Sequence, residues 1–250
     1  MKGKIALVTG GLSGIGKSIV FELAKKGLTI VILDIQDDKA NSVIEHCKEL
    51  GGDAIYIKCN LFDSKEIAES FNFIKETYGR LDYAMNNAGF GILSKPFGEV
   101  NEDEIDKLLG INIKAYMLCM IHEINMMKEN GFGRIVNTAS GSGLVASKGM
   151  ALYTACKHAV CGLTKAAALD YAKDNITINA IAPGTIETEL VLPIKEHKPE
   201  EYALWCLSNP IGRLGQPHEI ARVVSFLFED DSEFINGTII PIDSGFVAGK

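Results

Sequence analysis

Tyr153 and Lys157 stand four positions apart in the stretch YTACK, inside a segment, ALYTACKHAVCGLTKAAALDYA, whose apolar spacing reads as helix. Residues i and i+4 of a helix lie one above the other, so the phenol and the ammonium can project toward the same point. A cation beside a phenol stabilises phenolate and lowers its ordinary pKa of about 10 toward neutrality. The pair is therefore a candidate proton donor or acceptor. His158 adjoins the lysine, but a helix turns it to another face, and it is read as structural.

A second constellation binds rather than reacts. TGGLSGIG places Gly10, Gly14 and Gly16 between an apolar run, KIALVT, and a helical pattern, GIGKSIVFELAKKG. Glycines at a strand-to-helix turn permit close approach of the backbone to a ligand, and the helix N-terminus offers free N–H groups to a pyrophosphate. The next apolar run, TIVILD, ends at Asp34, whose carboxylate can accept hydrogen bonds from adenosine ribose hydroxyls and repels a 2′-phosphate. No lysine or arginine occupies positions 34 to 36, and Ser13 sits where a cation would help such a phosphate. These residues favour NAD over NADP.

Positioning such groups requires a layered frame. Short β-type runs alternate with longer helical patterns along the whole chain, and seven strands are expected: KIALVT, TIVILD, AIYIKC, LDYAMN, RIVNTA, ITINAIA and TIIPID. Such alternation implies βαβ units, an α/β class and a parallel sheet with helices on both faces. NEDEIDKLLGINIKAYMLCMIHEINMMKENG reads as one long helix. No linker or repeat interrupts the rhythm, so residues 1–250 are read as a single domain. The helices around 112–130 and 153–172 carry small or apolar residues on more than one face, as in Ala155, Ala159, Gly162, Ala166, Ala167 and Ala168. One face can cover the sheet; a self-associating helix pair in a homo-oligomer would bury the other.

A composition 47% hydrophobic and 23% charged supports an ample core. The net charge of -7 argues against a nucleic-acid partner, which needs a basic surface. The first apolar run is too short for a signal-peptide core and no later run could span a bilayer, so a cytoplasmic protein without membrane contact is expected. The six cysteines form no C-x-x-C pair and the five histidines lack zinc-ligand spacing. Reduced thiols and no metal are expected, which sets aside a zinc route to alcohol oxidation.

With these motifs in this order, the chain resembles the short-chain dehydrogenase/reductase family over nearly its whole length. TGGLSGIG is similar to the family's T-G-x-x-x-G-x-G, NNAG at 86–89 to its motif after the fourth strand, and YTACK to its Y-x-x-x-K. IN at 111–112, RIVNTAS, and NAIAPGTIET at 179–188 match further. The resemblance implies a Rossmann-type doubly wound sheet of order 3-2-1-4-5-6-7 with the cofactor at the carboxyl ends of the strands. It implies that Ser140 bonds the substrate oxygen, Tyr153 passes the proton, and Lys157 holds the nicotinamide ribose and lowers the tyrosine's pKa. Asn112 would support a water linking Lys157 to solvent. Cofactor-binding positions are Gly10, Ser13, Gly14, Ile15 and Gly16 in the turn, Asp34 and Ile35 after the second strand, and Asn60 and Leu61 after the third. Asn87, Ala88 and Gly89 follow the fourth strand and Pro183, Gly184, Ile186 and Thr188 the sixth, with Ile186 and Thr188 at the carboxamide; Tyr153 and Lys157 complete the set. Ser142 is a nearby hydroxyl, but the family spacing selects Ser140. Two departures stand out. Asn60 occupies a position where many members have aspartate near the adenine amino group, although its amide oxygen can still accept that bond. Ser244 stands where a second glycine is frequent.

The function so implied is an NAD(H)-dependent interconversion of a secondary alcohol and a ketone by a homotetramer. The expected substrate lid, residues 187–209, mixes apolar Leu190, Val191, Leu192 and Trp205 with five glutamates and two lysines, a poor match for an anionic thioester carrier. FGIL at 90–93 and GLVASKGMAL at 143–152 add apolar walls, and SGLV and PIGRLGQPHE resemble cyclic-alcohol dehydrogenases of the family. A neutral, apolar, cyclic or steroid-like small-molecule substrate is expected. The alternative is 3-oxoacyl-thioester reduction, which in this family usually goes with NADP. A remoter one is a non-catalytic NAD-sensing regulator, against which the complete set of Asn112, Ser140, Tyr153 and Lys157 argues. A sugar-nucleotide epimerase would need a larger substrate domain than this length allows.

Overall fold

Continuous apolar runs mark strands covered on both faces, and in the computed structural model, which describes residues 1–91 and 94–249, all seven expected runs join one parallel sheet. β1 (Ile5–Thr9), β2 (Thr29–Asp34), β3 (Asp53–Lys58), β4 (Tyr83–Asn86), β5 (Gly133–Thr138), β6 (Ile176–Pro183) and β7 (Ile239–Ile242) lie in the order β3-β2-β1-β4-β5-β6-β7. Alternate residues feed two cores. Ala6, Val8, Ile30, Ile32 and Met85 face one; Ile5, Leu7, Val31, Leu33 and Ala84 face the other. A slip of one residue would exchange the two sets, so burial on both sides fixes registers such as Leu7 opposite Val31 and Ala84.

The helices are α1 (Gly14–Lys25), α2 (Ala40–Glu49), α3 (Ser64–Tyr78), α4 (Glu102–Leu109), α5 (Ala115–Asn130), α6 (Ala151–Tyr171), α7 (Leu192–His197), α8 (Pro199–Ser208) and α9 (Pro217–Leu227). α1, α2 and α9 cover the first face through residues such as Ile19, Leu23, Val43, Ile220 and Val224. α3, α5 and α6 cover the second through Ile67, Phe71, Met120, Ile124 and Ala168. Ala167 and Ala168 thus belong to the core, whereas Ala155, Gly162 and Ala166 remain exposed on α6.

The stretch expected as one long helix is interrupted. α4 opens with a capping box in which Asn101 Oδ1 accepts from the Glu104 N–H and Glu104 Oε2 from the Asn101 N–H. After Leu109, residues Gly110–Lys114 form a π turn before α5 begins. The wider turn accommodates an extra residue and re-aims the side chains around it, here burying Asn112 completely. A Cβ on Gly110, at its start, would lie 2.9 Å from the exposed Phe62 ring, which would have to swing aside.

The sheet order reverses between β1 and β4, so the loops leaving their carboxyl ends diverge and open a crevice. Ile92 and Leu93 of the expected FGIL wall lie outside the described residues.

Candidate active site

The loop after β1 turns through Gly10 (φ +66°) and Gly14 (φ +51°), which side chains with a Cβ rarely adopt. A Cβ on Gly16 would fall 2.1 Å from the Gly10 carbonyl oxygen. Asn87 clasps this loop: its Nδ2 donates to the Thr9 and Gly10 carbonyls at 3.2 and 3.3 Å, and its backbone N–H to Thr9 Oγ1 at 2.9 Å. The buried Asp34 carboxylate accepts from the Leu12 N–H at 3.0 Å and the Gln36 N–H at 3.1 Å. It is thereby held beside the glycine turn, with lone pairs left for ligand hydroxyls.

Over this edge of the sheet runs a cleft of about 630 Å³. Every expected cofactor residue lines it except Gly16, which packs inside the turn. Asn60 serves the β3–α3 turn as well, its Oδ1 accepting from the Phe62 N–H at 3.2 Å while its own N–H donates to Glu66 Oε2 at 2.7 Å. Gln36, Lys39, Phe62 and Glu189 also line the cleft and carry no motif that would mark them in a sequence.

At its other end three expected groups converge. Ser140 Oγ accepts from the Ser142 N–H at 3.1 Å, which leaves its proton to point toward Tyr153 and the cleft. Lys157 Nζ donates to the Thr138 carbonyl at 2.9 Å and lies 5.6 Å from the Tyr153 ring centroid and 5.4 Å from that of Tyr116. Burial pushes the Lys157 ammonium down to about 8. Burial also pushes the Tyr153 phenol up, against the opposing hydrogen bond with Ser140. The expected lowering of Tyr153 by Lys157 therefore does not appear in the protein alone. The ammonium is itself desolvated and directed at a backbone carbonyl, so desolvation of the phenol wins.

Asn112 sits behind the cleft wall, where the π turn aims it. Its Nδ2 donates to the Phe90 and Leu108 carbonyls at 2.9 and 3.3 Å, while its buried Oδ1 has no partner. A Cβ on Gly89 would lie 2.6 Å from that oxygen and 3.9 Å from Lys157 Nζ, so acceptor and cation flank one small space. A buried orphan acceptor beside an ammonium with unused protons suits a bridging water or a ligand hydroxyl. With the glycine cradle and the Asp34 carboxylate at the far end, these residues fit a dinucleotide.

The segment that leaves the cleft after β6 is tied down at its start. The Glu187 carboxylate accepts from Lys195 Nζ at 2.7 Å, Tyr202 Oη at 2.9 Å and Gln216 Nε2 at 2.7 Å. Those bonds, the lysine's foremost, hold its carboxyl down at about 2. Ile186 pairs with Gly215 as an isolated bridge, so the chain enters α7 from a fixed point. Leu190 lines the cleft, and Leu204 and Leu207 of α8 are exposed.

Residues 10–247 match a protein-family model described as enoyl-(acyl carrier protein) reductase. A cyclohexanol dehydrogenase of Acinetobacter sp. (strain SE19) is 39% identical over 251 residues, covering 98% of this chain and 95% of that protein. The crystal structure of levodione reductase superposes with a TM-score of 0.94 at 32% identity, covering 100% of both chains. A structure of ElxO with NADP bound gives 0.93 at 31% identity, over 99% of this chain and 100% of that one.

Proposed function

The chain belongs to the short-chain dehydrogenase/reductase family, and from that premise we propose an NAD(H)-dependent oxidoreductase that interconverts a neutral, apolar, cyclic secondary alcohol and its ketone. The observation that carries this reading is the convergence of Ser140, Tyr153 and Lys157 at one end of a cleft whose other end holds the Asp34 carboxylate. A nicotinamide bound at the first end supplies or accepts the hydride. Ser140 donates to the substrate oxygen. Tyr153 gives that oxygen a proton in reduction and takes one in oxidation. Lys157 holds the nicotinamide ribose and, through the space above Gly89, shares a water with Asn112. Paired donors at the oxygen that gains charge stabilise the transition state more than the ground state.

Asp34 supports NAD, because its fixed carboxylate would meet the adenosine ribose and repel a phosphate there. The cyclic substrate is supported by the likeness to a cyclohexanol dehydrogenase and by the apolar Leu190 beside the cleft. Thioester reduction is the second reading, favoured by the description of the family model and disfavoured by the glutamates of the lid. The enzyme is read as a cytoplasmic homotetramer, with the exposed Met117, Ile121 and Leu169 of α5 and α6 covered by partner copies. Among the described residues no helix is long and apolar enough to cross a membrane.

Absorbance-monitored oxidation of NADH and NADPH over cyclic ketones, steroids and acetoacetyl thioesters tests the reading. NADH-dependent turnover of cyclic ketones is expected. Turnover of thioesters with NADPH, and none of cyclic ketones, overturns it.

A further inference from the structure

Ser13 precedes α1 without making a side-chain cap, so the first amides of that helix look elsewhere for an acceptor. They find one 175 residues further along the chain. The Gly14 N–H donates to Glu189 Oε2 at 2.8 Å, and Lys17 Nζ, one turn further along α1, pairs with Glu189 Oε1. Thr188 packs on the same turn: a Cβ on Gly14 would lie 3.3 Å from Thr188 Cγ2. Burial pushes the Glu189 carboxyl up, but the Lys17 and Gly14 bonds outweigh it and hold it below the usual carboxylate range.

An acid at a helix N-terminus is ordinary capping where nothing else must bind. Here the same N–H group is part of the glycine turn that lines the cleft, and Glu189 lines it too. A carboxylate and a pyrophosphate cannot both accept from the one Gly14 N–H, and both draw on the same Lys17 ammonium.

We propose that Glu189 is an internal stand-in for the cofactor's pyrophosphate: it caps the α1 N-terminus and is expelled by the dinucleotide, which inherits Gly14 and Lys17. The inference rests on the dinucleotide reading above. Its consequence is that a single contact couples cofactor binding to the lid, because Glu189 lies between Ile186, pinned to Gly215, and α7. With the plug in place only a fraction of molecules is ready to bind, and the apparent affinity is reduced by that fraction. Lys17 changes partner rather than losing one. It is a pyrophosphate-binding side chain in the loaded enzyme and a lid anchor in the empty one.

The test is calorimetric titration of NADH, and separately of adenosine, into wild type, Glu189→Ala, Glu189→Gln and Lys17→Met. Glu189 is a partly exposed side chain and its removal spares the core. NADH is expected to bind Glu189→Ala about tenfold tighter than wild type, which corresponds to a competent fraction of roughly one tenth. Glu189→Gln falls between, because the amide keeps an acceptor for Gly14 but no charge for Lys17. Lys17→Met binds NADH more weakly than Glu189→Ala. Adenosine, lacking phosphate, binds all four alike. Hydrogen exchange at residues 187–192 of the ligand-free protein is faster in Glu189→Ala than in wild type. If NADH binds wild type and Glu189→Ala equally, or the variant less tightly, the plug is overturned while the dinucleotide reading stands. If NADH binds none of the four, both fall.

Discussion

Lys157 Nζ donates to the carbonyl oxygen of Thr138 at 2.9 Å, a bond from the second turn of α6 to the last residue of β5. It fixes the height of the ammonium relative to the strand ends and so places it between Tyr153 and the space above Gly89. The price is a charge nearly excluded from water, with its pKa brought down to about 8 by burial.

Lys157→Met is therefore expected to be more stable than wild type at neutral pH and nearly inactive. The unfolded lysine titrates near its ordinary 10.5 and the folded one near 8. Between these values the unfolded state binds more protons, so wild-type stability rises with pH across that window; below it the full cost of burying the charge persists. The variant removes that cost, less the lost Thr138 bond, for a gain of about 1–3 kcal/mol at pH 7. Denaturant melts at pH 7 and pH 10 check this: the gap between variant and wild type should shrink at the higher pH. A variant less stable at both contradicts it.

Asp34→Ala should weaken NADH binding about tenfold or more through the lost ribose bonds. NADPH binding should change less, because the repulsion of its 2′-phosphate goes at the same time. The check is the ratio of kcat/KM for the two cofactors. An equal loss with both would mean that Asp34 serves only the Leu12 N–H and the shape of the turn.

Glu123 lies on α5 beneath the sheet, fully buried, with Oε2 accepting from Asn86 Nδ2 at 3.0 Å and Oε1 unpartnered. Burial pushes its carboxyl up to about 8, so the folded protein holds a proton that the unfolded chain releases above its ordinary 4.5. Stability on this ground is present at low pH and is lost as pH rises from 4.5 toward 8. Glu123→Gln keeps the Asn86 bond without the titration. Its Tm advantage over wild type should be larger at pH 8 than at pH 5, and a gap independent of pH would contradict the assignment.

Ser244 takes φ +56°, beside Gly245, which adopts φ +92°. A left-handed conformation costs a residue with a Cβ roughly 1–2 kcal/mol, whereas glycine adopts it freely at some entropic cost in the unfolded chain. Ser244→Gly should stabilise the protein by about 0.5–1 kcal/mol, a rise in Tm of about 1–4 °C. An unchanged or lowered Tm would show that the strain is relieved otherwise.

What could be read in the sequence was what local pattern encodes. Continuous apolar runs located every strand, and the i, i+4 spacing of Tyr153 and Lys157 put both at the cleft because α6 is regular there. The break in the long helix at Gly110 was hidden, since Asn112 and its neighbours keep helical hydrophobicity while a π turn alters only the bonding. Glu189 was hidden for another reason: it meets Gly14 from 175 residues away, and no periodicity links two such segments. Tyr153 misled in sign, because charge proximity can be guessed from spacing but desolvation depends on what packs around both groups.

The most direct measurement follows NADH absorbance with a cyclic ketone for wild type and Tyr153→Phe, with NADH affinity determined for both by calorimetry. The phenylalanine keeps the ring and removes only the proton carrier. Binding weakened far less than turnover, which should fall by a factor of about 10²–10⁴, is the expected result for loss of a general acid that also touches the cofactor. Comparable turnover in the two proteins would contradict the assignment of Tyr153 as the proton-transferring group.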